Sequence, residues 1–304
     1  MLTPGDKVFN RGNDIIQILV TRACNLFSCS NCTQLLPFRK DTLHMGVDVF
    51  RAAVRSMAGW PGVVAMFGGN PCSHPKFEDL AAILEEEIPE QHRRGLWSNA
   101  FLGHGETVRR VFYPHARFNL NAHADREAAV DMARWCPGKV IEASVGSPAW
   151  HGPILMDRED LGISEEDWVP IRESCDINRN WSGIVVERDG FPYGYFCEVA
   201  AAIDGVRGEN HGMLALPGWW REPIAKFADQ VSGCCDRGCG VPFRFRGHLD
   251  RDDVYDVTRS WVPMTFPRKG HVSIHEHSEG LEKIPRSGEL TDYFRLRTPA
   301  ERGR

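Results

Sequence analysis

The sequence predicts an α/β protein built on a parallel sheet. Three observations carry that prediction. From residue 14 to about 145, short β-rich runs alternate with helical stretches, the order that parallel βα units produce. Each unit spans about 25–30 residues, near the minimum for a strand, a crossover helix and their turns. The units number five or six, fewer than a closed eight-stranded barrel needs.

In chain order, IIQILV (15–20) is the first predicted strand. VDVFRAAVRSMAGW (47–60), apolar at helical spacing, is the helix after its loop. GVVAMF (62–67) is the second strand, followed by a helix over KFEDLAAILEEEI (76–88). GLWSNAF (95–101) is the third, backed by ETVRRVF. ARFNLNA (116–122) is the fourth, backed by REAAVDMARW (126–135), and KVIEASV (139–145) is the fifth. Residues 147–175 are less regular, with one predicted helix at ISEEDWVPIRES. WSGIVVE, RDG and FPYGYFC then read as a hairpin with its turn at Gly190. REPIAKFADQVSG (221–233) is a predicted helix that stops at Gly233, directly before Cys234. After Val241 apolar runs are few, and from about residue 278 the chain is polar enough to be a mobile tail.

Composition narrows the function. The 304 residues are 42% apolar and 25% charged, with a formal net charge of −5. A sizeable core is therefore available, while nothing draws the whole molecule to nucleic acid or to an anionic membrane. The first residues, MLTPGDKVFNRGN, lack the apolar stretch of a signal peptide, and no run of about 18 apolar residues occurs. The expectation is a cytoplasmic protein that does not enter the membrane. In a reducing compartment ten cysteines are not read as five disulfides. Cys24, Cys29 and Cys32 crowd one loop, Cys72 and Cys136 are isolated in sequence, and Cys175, Cys197, Cys234, Cys235 and Cys239 occupy the later half. Two clusters point to two metal centres.

The spacing C-x4-C-x2-C puts three soft ligands within nine residues, which fits an iron–sulfur cluster or zinc. A plant-type [2Fe–2S] centre uses this local spacing with one later cysteine, for which Cys72 is the candidate, and zinc also wants a fourth ligand. Position argues for a third answer. The cysteines leave the C-terminal end of the first strand, where parallel α/β folds place their active sites. Three thiolates there leave one iron of a [4Fe–4S] cluster open to a substrate or cosubstrate. FGGNPCSHPKFEDL (67–80) follows the second strand. Gly68 and Gly69 permit close approach of backbone to a ligand, and Pro71 fixes the chain as it leaves.

CNLFSCSNC, GGNPCSHP and WSNAF, in that order and at successive strand ends, resemble the radical S-adenosylmethionine (radical SAM) superfamily. The resemblance covers about residues 14–145. It implies a partial (β/α)6 TIM-like barrel with a catalytic [4Fe–4S] cluster on Cys24, Cys29 and Cys32. It also implies S-adenosyl-L-methionine as cofactor, contacted by Gly68, Gly69, Asn70, Ser98, Asn99 and Asn121. The implied chemistry is reductive cleavage of that cofactor to a 5′-deoxyadenosyl radical that abstracts a hydrogen atom, fed by an external electron donor such as a flavodoxin or ferredoxin.

The sequence departs from the family pattern at three points. The first spacing carries one extra residue, Asn31 stands where an aromatic residue is common, and Asn70 stands where an acid is usual. An amide at 70 accepts a hydrogen bond from the cofactor's amino group without the charge assistance of a carboxylate, a difference of about 1 kcal/mol. Asn119 and His123 follow the fourth strand and face the same mouth. His123 reads either as a substrate or proton-transfer group or as a structural histidine.

Cys175 before the hairpin, Cys197 at its end, and Cys234, Cys235 and Cys239 after a helix resemble the auxiliary-cluster domain, twitch or SPASM, that follows many radical SAM barrels. That implies a second [4Fe–4S] cluster on Cys175, Cys197, Cys239 and either Cys234 or Cys235. Cys235 is preferred, because C-x3-C reaches one cluster from a tight turn that Gly238 and Gly240 allow. Zinc is the rival occupant. The domains are then 14–174 for the barrel, 175–245 for a small α+β auxiliary-cluster domain, and 246–304 for a C-terminal extension.

HVSIHEH places His275 and His277 on one face of an extended segment, a metal pair only if a third ligand joins them and otherwise a solvated face. Arg237, Arg244, Arg246 and Arg251, among Phe243 and Phe245, are either surface arginines or a receiver for phosphate, carboxylate or nucleic-acid backbone. Trp181, Trp219, Trp220 and Trp261 read as core or interface. Peptide-modifying members of the family that the sequence resembles often begin with a separate leader-binding domain, and only about 13 residues precede the first strand here, so the resemblance implies a small-molecule substrate rather than a peptide. The expected activity is hydrogen abstraction from a polar small molecule, ending in dehydrogenation, isomerisation or bond formation. The alternatives are the same chemistry on a modified nucleoside or base in nucleic acid, and a non-catalytic iron–sulfur electron carrier.

Overall fold

A computed structural model describes residues 15–26, 29, 31–39, 41–123, 125–142, 154–173, 175, 183–241, 243–245, 254–264, 271–276 and 281–283. Its strands are β1 (Ile15–Thr21), β2 (Val63–Gly68), β3 (Arg94–Ser98), β4 (Arg117–Asn121), β5 (Ile141–Glu142), β6 (Gly183–Arg188), β7 (Phe191–Tyr195) and β8 (Met213–Leu214). They form one eight-stranded sheet in the order β5-β4-β3-β2-β1-β6-β7-β8. β1 through β6 run parallel, and β7 and β8 are antiparallel additions. Helices α1 (Val47–Ser56), α2 (Phe77–Glu87), α3 (Gly105–Phe112) and α4 (Arg126–Trp135) cross over between the first five strands. The fold class is the one the sequence predicts, an α/β chain of βα units with six parallel strands.

The reason these segments become strands is burial. Residues 16–21 of β1 are all buried, as a parallel strand covered on both faces requires. Phe50, Phe77, Leu80, Leu84, Val108 and Phe112 project from α1, α2 and α3 into the same core. No described helix is long and apolar enough to cross a membrane.

Several elements differ from expectation. The hairpin assigned to a separate C-terminal unit extends the main sheet: β6 pairs with β1 from Ile16↔Gly183 to Ile18↔Val185. Its β-branched run Ile184–Val186 is buried there, which explains the attachment. The helix expected at 163–174 forms as α5 (Glu165–Glu173), and an unpredicted helix, α6 (Glu198–Arg207), follows the hairpin. Gly208, at φ 71, ends α6 in the left-handed conformation that glycine tolerates.

The helix expected at 221–233 is broken. A 3-10 turn at Ile224–Phe227 and a short α turn at Ala228–Gln230 lead into a wider π turn at Val231–Cys235. Buried Gln230 accounts for part of the break, since its side chain accepts from Phe196 N–H and donates to Gly194 C=O, each at 3.0 Å.

The C-terminal region also holds more structure than its polarity predicts. β9 (Phe243–Phe245) pairs antiparallel with β12 (Leu281–Lys283), and β10 (Val254–Thr258) pairs parallel with β11 (His271–His275). The expectation of a mobile tail from 278 is corrected at 281–283, and residues 284–304 lie outside the described residues. β10 is held by the buried pair Tyr255 and Val257, an alternation too short to read as a strand.

Candidate active site

The C-terminal ends of β1 to β4 carry the loops that the sequence singled out. Beyond the sheet proper, Gly69 N–H donates to Thr21 C=O at 2.9 Å and Asn70 N–H to Ala23 C=O at 2.8 Å. A Cβ on Gly68 would collide with the Thr21 carbonyl, and one on Gly69 with the Ala23 carbonyl and the Cys24 Cβ. The room that the sequence assigned to a ligand is taken by the segment that delivers Cys24.

Each triad sulfur has its own polar neighbour. Cys24 Sγ accepts from Leu26 N–H and from Asn99 Nδ2, both at 3.4 Å. Cys29 Sγ lies 3.9 Å from His123 Nε2. Cys32 receives backbone N–H groups of Leu36, Gln34 and Leu35. All three cysteines are half-buried. Burial pushes the Cys24 thiol up to about 11 and raises Cys32 as well. Such thiols keep their protons until a metal displaces them, and the N–H donors then stabilise the thiolates. His123 reaches Cys29 from a left-handed turn at φ 51, a conformation costing about 1–2 kcal/mol. Asn121 Oδ1 holds that turn by accepting His123 N–H at 2.9 Å.

Asn70 is used differently from the expectation. Its Nδ2 donates to Asn25 Oδ1 at 2.9 Å and to Ala100 C=O at 2.8 Å. Its Oδ1 accepts from Ser98 Oγ at 2.9 Å and from Cys72 N–H at 3.3 Å. A carboxylate cannot donate the first two bonds, so the departure from the usual acid has a local cause: an amide ties together the loops after β1, β2 and β3. Ser98 is drawn into the same network, lying 3.0 Å from Ala100 C=O. Cys72 is buried with its Sγ 3.7 Å from Ser98 Oγ, and burial pushes its thiol up to about 12. Its sulfur contact is thus with Ser98, in the packing behind the loop. Asn99 remains poised, because its Oδ1 is buried beside Cys24 without a hydrogen-bond partner among the described residues.

A second gathering of thiols lies under the hairpin. Cys175, Cys197, Cys235 and Cys239 line one cavity with Trp168 and Phe196. The thiols are close enough to raise one another: beyond burial, Cys235 is pushed up by Cys239, Cys197 and Cys175. Cys234 also touches the cavity, but its S–H donates to Ala200 C=O at 3.4 Å, and its sulfur groups with Asp204 and His211. Asp204 is already engaged there by His211 Nδ1 at 2.6 Å, His211 N–H at 3.0 Å and the Tyr195 hydroxyl. Among the described lining residues no carboxylate faces the cavity, so its donor set is soft and fits sulfur-ligated iron.

Glu198, which sequence reasoning missed, sits between the two gatherings. It follows Cys197 directly and is almost fully buried, and both Cys32 and Cys197 feel its charge. Burial pushes its carboxyl up to about 8, partly offset by a hydrogen bond from Gln17. Glu198 Oε2 and Gln17 Oε1 both lack hydrogen-bond partners among the described residues. The available signal was an acid opening the apolar run EVAAAI next to a candidate ligand.

The remaining candidates disperse. His275 Nε2 is 2.8 Å from Asp256 Oδ1. Asp256 Oδ2 in turn accepts from Asn31 Nδ2 at 2.8 Å, and Asp256 N–H donates to Asn31 Oδ1 at 2.9 Å. Asn31 therefore replaces the common aromatic with an anchor to β10. Arg237 pairs with Glu209 at 3.4 Å. Trp219 and Trp261 are buried in the core and Trp220 packs against it. Trp181, Arg246, Arg251 and His277 lie outside the described residues.

No family model matches the chain, and no curated protein matches it. Among solved structures, the crystal structure of BtrN in complex with AdoMet and 2-DOIA aligns with a TM-score of 0.46 at 17% identity, over 74% of this chain and 88% of that one. The crystal structure of Streptococcus suis SuiB bound to S-adenosylmethionine aligns with a TM-score of 0.34 at 16% identity, over 59% of this chain and 42% of that one.

Proposed function

We propose that this chain is a cytoplasmic radical SAM enzyme that abstracts a hydrogen atom from a polar small molecule. The observation that supports this best is the assembly at the ends of β1 to β4. Three half-buried thiols occupy one loop, each with its own polar neighbour, and the buried acceptor Asn99 Oδ1 stands beside Cys24. Cys24, Cys29 and Cys32 are the residues to hold a [4Fe–4S] cluster with one iron open. With S-adenosylmethionine bound there, such a cluster would supply radical chemistry for hydrogen abstraction at an unactivated carbon. Asn99 is the residue proposed to accept from the cofactor, which its buried Oδ1 and its Nδ2 bond to Cys24 support. Gly68 and Gly69 keep the Cys24 segment tight against β2, and Asn70 and Ser98 brace the loops from behind.

Cys175, Cys197, Cys235 and Cys239 are the residues proposed to hold a second, fully ligated [4Fe–4S] cluster. Cys235 is favoured over Cys234 because its thiol faces the other three. An external flavodoxin or ferredoxin is the proposed electron source. Glu198, buried between the two gatherings with its carboxyl raised by burial, is the proposed proton-holding group next to Gln17 of β1.

The test is anaerobic. The reconstituted, reduced protein should bind S-adenosylmethionine and release 5′-deoxyadenosine, and a variant with Cys24, Cys29 and Cys32 all changed to Ala should release none. A fully reconstituted wild type that neither binds the cofactor nor releases 5′-deoxyadenosine overturns the proposal in favour of an iron–sulfur electron carrier.

A further inference from the structure

We propose that Arg22, Arg39 and Arg188 form a binding site for the phosphate group of a small molecule, at the C-terminal ends of β1 and β6. Arg22 directly follows β1, and Arg188 is the last residue of β6. β1 and β6 are parallel neighbours, paired from Ile16↔Gly183 to Ile18↔Val185, so Arg22 and Arg188 leave adjacent strands at the same end of the sheet. Arg39 comes from the end of the cysteine loop. Contacts link all three. Asp41 pairs with the Arg22 guanidinium and with Arg39 Nε, the latter at 3.4 Å. Arg39 lies over Gly205 of α6, where any Cβ would strike its guanidinium. The neighbouring Asp204 is 3.9 Å from Arg188 Nη1.

The charge at this place is out of balance. The three arginine side chains are only 13%, 10% and 24% exposed, unlike the mostly solvated arginines of a surface ion pair. Among the described residues, the carboxylates paired with these three cations are Asp41, which is half in solvent, and Asp204, whose oxygens already serve Tyr195 and His211. Gathering like charges away from water is costly unless an anion joins them. A phosphate dianion matches both the excess charge and the planar, forked donors of guanidinium groups. The site adjoins the mouth near Cys24 but does not depend on the cysteine chemistry.

The experiment is calorimetric titration of the reconstituted full chain with inorganic phosphate at fixed ionic strength, with acetate and S-adenosylmethionine as separate arms. Wild type should bind phosphate saturably at one site. Arg188→Gln should weaken it at least about tenfold, Arg188→Lys should retain part of the affinity, and Asp41→Asn should tighten it several-fold, because a competing carboxylate is removed. A merely structural cluster would instead lose thermal stability in Asp41→Asn with no gain in phosphate affinity, and that result overturns the proposal. So does an absence of saturable phosphate binding, or an unchanged affinity in a folded Arg188→Gln. Acetate binding as tightly as phosphate refutes the phosphate assignment, and phosphate competing with S-adenosylmethionine refutes a separate site. None of these readouts requires the protein to cleave S-adenosylmethionine.

Discussion

The two gatherings of cysteines differ in a way that separates an open site from a closed one. Cys24, Cys29 and Cys32 are half-buried at strand ends, and the protein's own N–H groups point at two of the three sulfurs. Cys175, Cys197, Cys235 and Cys239 are buried around one cavity and raise one another by proximity. A site that must exchange a ligand keeps a coordination position open, whereas a structural or electron-storing site closes all of them. The lesson is that ligand count and burial, read together, distinguish two centres that look alike in composition.

The largest expected effect would break this comparison outright. Replacing Cys24, Cys29 and Cys32 by Ala should abolish 5′-deoxyadenosine release while sparing about half the iron. Cys235→Ala should remove the other half, and Cys234→Ala should leave iron content unchanged. Iron and sulfide analysis of the reconstituted variants decides. If Cys235→Ala empties both centres, they are not independent.

Next in size is Asn99→Ala, which removes both the bond to Cys24 and the waiting acceptor. Loss of one or two such bonds weakens S-adenosylmethionine binding about ten- to a hundredfold, measurable by equilibrium dialysis under anaerobic conditions. Asn70→Asp sharpens the contrast between contact and brace. It restores a family-like acid but sets a carboxylate against Ala100 C=O and Asn25 Oδ1, so it should destabilise the fold by about 1–3 kcal/mol without improving cofactor affinity. A thermal melt beside a binding curve reads both, and a gain in affinity would return Asn70 to the cofactor.

The smallest effect concerns pH. Glu198 has a folded pKa of about 8, above its unfolded value of about 4.3. Folding therefore takes up a proton. This group's contribution is complete below about pH 4, declines as pH rises, and is lost above about pH 8. Glu198→Gln should melt increasingly above wild type between pH 5 and pH 9. A constant difference between the two melting curves across that range would show that Glu198 is charged in the folded protein.

Much of this was legible in the sequence, and the limits are physical. The alternation of β-rich and helical runs announced the βα units, and three cysteines after one strand marked the candidate site, because both signals are local. The bonds of Asn70 within the protein were not legible, since its network needs Asn25, Ser98 and Ala100 from different segments. β6 read correctly as part of a hairpin, yet periodicity reports which face of a strand is apolar and not which neighbour it pairs with. Glu198 was missed because an isolated acid carries no signal until burial removes its water.

One feature reaches beyond chemistry into the order in which the molecule is made. Asn31, beside Cys32, is locked by paired hydrogen bonds to Asp256 across 225 residues of chain. The loop that bears the first three cysteines is thus braced by a strand made 225 residues after it. Until β10 has been synthesised, Asn31 lacks that anchor.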